Sequence, residues 1–304
     1  MSFTFDDNKT HPIAVIQDPR GQSYVYLSDT EVEDQPPAQQ SSILDEKLDQ
    51  TTLQQVMASL NSMSLRQVYS ILDQSTPHSQ SQKSNFNEYH LNPDESIETL
   101  PAANTERIFI AGEAGCGKST ISAKYAMQYK KMFPENDIFL FARQEDPAFD
   151  KIKHNEIILD FDFPDDGNKE DIDKVLHNEI TIDSLENSLC IFDDCDNLQD
   201  KKLLTAIHKL MNDVTTNGRK RGIYVIYVSH LLMNYAQTRV MLNEANKVFF
   251  FPGCGTRQIE NFLKIYGSMK TKEAEQLANM KSRWVMLAKR RPRYILHEKG
   301  FFML

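Results

Sequence analysis

Long apolar runs are missing from this 304-residue chain. None approaches the eighteen or so residues that a membrane-spanning helix needs, so no transmembrane segment is expected. Cysteine is scarce too. Cys116, Cys190, Cys195 and Cys254 show no paired metal-ligand spacing, which argues for reduced structural thiols rather than a metal centre or a disulfide framework. Residues 1–10 carry Asp6 and Asp7 and no apolar stretch, so no secretory leader is read and an intracellular setting is expected. An overall excess of positive charge, the usual mark of a nucleic-acid binder, is also absent: the formal net charge is −9. That acidity is concentrated, because residues 1–100 hold 15 of the 43 acids but only 5 of the 34 bases. At the other end Lys281, Arg283, Lys289, Arg290, Arg291, Arg293 and Lys299 face the single acid Glu298, a basic segment suited to phosphates or simply a solvated face.

Three regions follow from the patterning. In residues 1–28, Ile13–Ile16 and Tyr24–Leu27 flank the turn residues Asp18-Pro19-Arg20-Gly21, which reads as a small β-hairpin appendage. Residues 29–100 form an acidic, Gln- and Ser-rich linker, with apolar residues at helical spacing between Ile43 and Leu72 suggesting two short amphipathic helices. Residues 101–304 alternate short apolar runs with amphipathic stretches, the signature of β-α units around a mainly parallel sheet. Expected strands are Ile108–Ala111, Ile138–Ala142, Ile157–Phe161, Leu189–Phe192, Ile223–Val228 and Val248–Phe251, with a β-hairpin or meander over Trp284–Leu304.

The chemistry is most specific at Gly112-Glu113-Ala114-Gly115-Cys116-Gly117-Lys118-Ser119, followed by Thr120. This G-x-x-x-x-G-K-[ST] phosphate loop (Walker A) comes after an apolar strand and before a helix-compatible run, the context its chemistry requires. Glycines let backbone N–H groups curl round a β-phosphate, and the helix directs its positive end at the same group. Lys118 is placed to bridge β- and γ-phosphates and Ser119 to ligate Mg²⁺. The fold class expected is therefore an α/β P-loop NTPase. No Asn-Lys-x-Asp element for guanine is present, so ATP is preferred by elimination.

Ser188–Asp194 is an apolar strand ending in two carboxylates, a Walker B pattern, with Asp193 suited to the Mg²⁺ shell and Asp194 to orienting or deprotonating a water. The two expected strands near Ile138 and Ile157 lie between the loop and this strand, which fits the hydrolysing branch of the fold, where an extra strand separates the two motifs. Arg219 to Gly222 form a basic turn feeding the strand that ends in Ser229 and His230, either of which is placed to sense a γ-phosphate.

Gly112–Thr120, the Asp193-Asp194 strand and Arg219–His230 together resemble the FtsK/HerA superfamily of pumping ATPases. Asn243–Pro252, and Ser282–Val285 through Pro292–Ile295, are similar in particular to the genome-packaging ATPases of nucleocytoplasmic large DNA viruses and of virophage- or polinton-like elements. The resemblance spans roughly residues 104–304. It implies a homo-oligomeric ring that threads double-stranded DNA, a capsid partner, and action in the infected host cytoplasm or virion. It further implies that an arginine from the neighbour completes each ATP site, with Arg219 at the matching position. Cellular members commonly carry Glu and Gln where this chain has Asp194 and His230, which leaves the water-activating group open. A helicase or loader on the same fold, and a nucleotide-binding scaffold with little turnover, are the alternatives.

Overall fold

The computed structural model describes residues 2–5, 11–19, 21–28, 88–159, 166–233 and 235–304. The amphipathic helices expected between Ile43 and Leu72 lie outside them.

In chain order the strands are β1 (Ser2–Thr4), β2 (Ala14–Asp18), β3 (Gly21–Ser28), β4 (Glu88–His90), β5 (Ser96–Thr99), β6 (Arg107–Ala111), β7 (Asp137–Ala142), β8 (Asn155–Ile158), β9 (Ser188–Asp193), β10 (Tyr224–Ser229), β11 (Lys247–Phe250), β12 (Val285–Ala288), β13 (Tyr294–His297) and β14 (Gly300–Met303). The α-helices are α1 (Lys118–Met132), α2 (Asp166–Leu176), α3 (Lys201–Asn217), α4 (Tyr235–Glu244), α5 (Thr256–Ile265) and α6 (Thr271–Ala278).

Ten strands form the main sheet in the order β4-β14-β13-β12-β11-β6-β10-β9-β7-β8. From β11 to β8 all neighbours are parallel. The remaining strands, β12 to β14 and β4, add an antiparallel meander at the other edge. One strand does separate the Walker A strand β6 from the Walker B strand β9, but it is β10, which comes later in the chain. The two strands that lie between the motifs in sequence, β7 and β8, are stacked outside β9. Chain order and sheet order part company here because each crossover is free to land beyond its neighbour.

Both faces of the parallel part are covered, which is why its strands read as unbroken apolar runs. Phe109, Cys190, Phe192, Val225 and Tyr227 face α3, α5 and α6, whereas Ile108, Ile110, Ile191, Ile226 and Val228 face α1. On the first face the rings of Phe141, Phe192 and Tyr227 stack across three strands, with centroids 4.8 and 5.5 Å apart. Helix α1 comes close to the second face through small residues, Ser122, Ala123 and Ala126, with Tyr129 fully buried behind them.

The expected hairpin of residues 1–28 is present as β2 and β3, but it is not a detached appendage. It sits in a four-stranded sheet, β1-β3-β2-β5, and belongs to one compact unit with residues 86–304. Strand β5, like β4, falls inside the stretch expected to be linker. Ala14, Ile16, Val25 and Ile97 share the hydrophobic cluster of α1, and Glu98 ties the two by accepting from Gln128 (2.9 Å) and pairing with Lys124 (3.0 Å). Polar composition hid β4 and β5 because each is only three or four residues long and one-sided.

A buried ion pair ties the amino ends of β6 and β11 together. Glu106, just before β6, meets Lys247 of β11 at 2.8 Å with both side chains 6% exposed. The carboxylate also accepts from Tyr125 Oη (2.7 Å) and from the backbone of Ala102 (3.1 Å), while the ammonium donates to the carbonyl of Leu100 (2.8 Å). Removing one partner leaves the other charged and buried. Lys247→Ala is therefore expected to destabilise the fold by about 3–5 kcal/mol, measured by chemical denaturation, and a loss below 1 kcal/mol would show the pair to be incidental.

Candidate functional site

Ligands of open α/β sheets bind outside the carboxyl ends of the strands, and four such ends converge here. The phosphate loop, residues 112–117, runs from the end of β6 into α1, and its first amide, Gly112 N, donates to the carbonyl of Ser229 at the end of β10 (3.2 Å). Gly117 sits at φ +104° as the N-cap of α1, a left-handed conformation that a side chain resists. Phe251, just after β11, walls the loop so closely that a Cβ on Gly112 would come within 2.5 Å of its ring.

Lys118 is 7% exposed. Its ammonium donates to the carbonyls of Gly112 (3.0 Å) and Glu113 (3.2 Å) and lies 3.4 Å from His230 Nδ1. The other ring nitrogen of His230, Nε2, is 3.0 Å from Asp194 Oδ2. With the ammonium as donor to Nδ1, the imidazole carries its proton on Nε2 and donates to Asp194. A continuous chain of contacts thus links the phosphate-loop lysine to the second Walker B carboxylate. Asp194 itself adopts φ +51°, a left-handed conformation that Asp tolerates better than most residues, which swings its side chain out of the line of β9.

Asp193, the last residue of β9, is hydrogen-bonded by Ser119 and pushed up to about 7. Burial is the main cause, the carboxylates of Asp194 and Asp146 add to it, and Lys118 and Ser119 oppose it. Such a site favours a cation. Among the described residues no group of three or more His, Cys, Asp or Glu is arranged to hold a metal.

These groups line one cavity of about 360 Å³, formed by Ser119, the turn from Ala142 to Pro147, Asp193, Asp194 and His230. The turn after β7 was not singled out from the sequence. Asp146 accepts from Ala148 N (2.9 Å) and starts a single 3₁₀ turn, Pro147–Phe149, whose Phe149 is buried. The Asp-Pro pair is a readable turn start, but only the pairing of β7 with β9 brings that turn to the cavity.

Two expected residues lie elsewhere. Ser229 does not line the cavity: it is 4% exposed and its hydroxyl donates to Asp196 Oδ2 (2.7 Å) and accepts from Leu231 N (3.2 Å). Successive side chains of a strand point to opposite faces, so with Tyr227 and Ser229 on the α3 side, His230 turns towards α1 and the phosphate loop. Asp196, its partner, was also missed by the sequence reading. Arg219 is at the other edge of the sheet. It lines a second cavity with Glu106, Asn187, Tyr224 and Asn246, at the amino ends of β6, β9, β10 and β11. A strand rises about 3.3 Å per residue, so the five residues of β6 set the two edges roughly 15 Å apart. Thr120, Glu113, Ala114 and Gly115 are exposed on the rim of the loop, and Cys116 is half-buried.

Ser229→Ala is accordingly expected to leave nucleotide affinity unchanged while costing about 1–3 kcal/mol of stability through the orphaned Asp196. Fluorescent-nucleotide titration beside thermal melting checks this, and a tenfold loss of affinity without a melting shift would return Ser229 to the site.

The RNA helicase family model matches residues 108–204. The chain is 37% identical over 200 residues to the uncharacterised protein V3 of Sputnik virophage, an alignment covering 64% of this chain and 76% of that one. Among solved structures, the genome packaging NTPase B204 from Sulfolobus turreted icosahedral virus 2, in complex with ATP-gammaS, is 10% identical, with 64% of this chain and 97% of that chain covered and a TM-score of 0.43. The cytoplasmic domain of the Thermomonospora curvata Type VII secretion ATPase EccC is 11% identical, with 74% and 29% covered and a TM-score of 0.45. Among the described residues no helix is long and apolar enough to cross a membrane.

Proposed function

The chain belongs to the family of the Sputnik virophage protein V3, and from that membership and the geometry of the cavity we propose that it is an ATP-hydrolysing motor that packages a viral double-stranded DNA genome. The observation that carries the enzymatic part is the convergence of Ser119, Asp193, Asp194 and His230 at one cavity from three elements, with Lys118 in contact with His230. A scaffold that only holds nucleotide has no use for a second carboxylate bonded to a histidine that in turn touches the phosphate-loop lysine. The viral and packaging part rests on the virophage relative and on the resemblance of residues 243–252 and 282–295 to packaging ATPases.

In this reading the loop from Gly112 to Ser119 surrounds the phosphates, and Lys118 exchanges its carbonyl partners for β- and γ-phosphate oxygens. Ser119 and Asp193 would hold Mg²⁺, whose charge would offset that of the phosphates. Asp194 orients the attacking water and takes its proton as the water oxygen bonds to the γ-phosphorus and the bond to the ADP oxygen breaks. His230 holds Asp194 in place and, being in contact with Lys118, registers whether a γ-phosphate has drawn the lysine away. Arg219 sits too far from its own phosphates to help, which favours a role towards a neighbouring subunit in a head-to-tail ring. The basic residues near the C-terminus are one surface for DNA, although Arg283 is engaged with Glu298 (2.6 Å) and Lys289 with the carbonyls of Leu242 and Asn243, which leaves fewer free cations than the sequence count. Burial holds the Lys289 ammonium down to about 8, with Arg290 adding to the shift. The RNA helicase match favours a second reading, a nucleic-acid motor that unwinds rather than packages, and a strand-displacement assay separates the two.

The test is ATP turnover with and without long double-stranded DNA. DNA is expected to stimulate turnover without base preference and less strongly as salt rises. Lys118→Ala should abolish binding and turnover. Asp194→Asn, which keeps the left-handed backbone, should bind nucleotide and turn over about 100-fold or more slowly. Turnover intact in both variants would sink the motor. Arg219→Ala subunits mixed with Lys118→Ala subunits should regain activity that neither has alone.

A further inference from the structure

The cavity at the amino ends of the strands holds a second guanidinium. Arg290, in the turn between β12 and β13, lines it together with Arg219, in a space of about 710 Å³. Both arginines are exposed at the surface. Among the described residues neither has an ion pair or side-chain hydrogen bond, whereas Glu106 and Arg107 nearby are both engaged. Glu106 is spent on Lys247, and the buried Arg107 donates to the carbonyl of Thr215 (2.6 Å). Burial holds Arg107 below its ordinary value against the opposing charge of Glu244, and the smaller effects of Arg290 and Arg219 in the same downward direction show that both guanidiniums are close enough to act on it.

The opposite edge has the complementary imbalance. The nucleotide cavity is lined by Glu145, Asp146, Asp193 and Asp194 against Arg143, with Lys118 touching its His230. Four carboxylates surround a site that must also take a triphosphate. Transition-state charge on a γ-phosphate calls for more cation than one lysine, one arginine and Mg²⁺ supply next to four acids. One face of the molecule has more carboxylates than cations and the other presents two guanidiniums without an ion pair, each able to grip phosphate oxygens with its planar fork.

We propose that Arg290 acts with Arg219 as a pair of cations donated in trans, so that this cavity caps the neighbouring subunit's nucleotide and binds its γ-phosphate oxygens. The proposal rests on the shared-site reading above and extends it. It makes the β12–β13 turn part of the catalytic machinery, and it fixes the interface as head-to-tail: the amino edge of one sheet against the carboxyl edge of the next.

The experiment measures turnover of the full chain. Arg290→Ala is expected to lower kcat at least tenfold with little change in KM or in melting temperature, since the side chain is exposed. Mixing Arg290→Ala subunits, whose own nucleotide site is intact, with Lys118→Ala subunits, whose Arg290 is intact, should raise turnover well above the sum of the two alone. Arg290→Lys, which keeps the charge but loses the fork, should fall between wild type and Arg290→Ala, and it serves as the test if the alanine variant melts early. Wild-type kcat in Arg290→Ala overturns the proposal. So does a mixture that recovers nothing while the Arg219→Ala and Lys118→Ala mixture does recover, because the shared site then stands without Arg290. If neither mixture recovers, the shared-site reading falls and this one with it.

Discussion

Parallel pairing of β7, β9, β10, β6 and β11 is the constraint on which the rest of the molecule depends. Because these strands run the same way, every carboxyl end opens on one edge of the sheet and every amino end on the other. The phosphate loop after β6, Asp193 and Asp194 at β9, His230 after β10 and the Asp146 turn after β7 meet without being near one another in sequence. The same pairing sends Arg219, Asn187 and Asn246 to the far edge. An antiparallel strand among them would have scattered both groups.

Within that frame, one-residue alternation decides which polar side chains reach the nucleotide cavity. Ser229 and His230 are adjacent and chemically plausible as phosphate sensors, yet only His230 turns towards Lys118 and Asp194. Ser229 is committed to Asp196 beneath α3. Asp194 avoids the same fate by leaving the strand's alternation at φ +51°. A strained backbone at a carboxylate that contacts the site histidine is where local geometry gives way to chemistry.

The N-terminal strands bear on the site indirectly. Glu98 holds α1 against the four-stranded sheet, and Glu106 with Lys247 clamps the amino ends of β6 and β11. Helix α1 carries Lys118 and Ser119 in its first turn, so whatever steadies α1 steadies the phosphate grip. The part of the chain that looks like an appendage in one dimension is therefore a brace for the nucleotide site.

Residue type and spacing determined several things by themselves: the phosphate loop and the strand before it, the carboxylate pair at the end of β9, the apolar runs of the parallel sheet and the C-terminal meander. Each is a local pattern whose physics acts within a few residues, whether glycine φ, helix N-terminus or strand periodicity. Tertiary structure alone decided that β10 lies between the two motif strands, that the turn from Arg143 to Asp146 borders the cavity, that Ser229 faces away, and that Arg219 shares its edge with Arg290. Those facts depend on the order in which crossovers stack strands and on which face a side chain meets. Contacts such as Glu106 with Lys247, 141 residues apart, leave no periodicity in the chain that makes them.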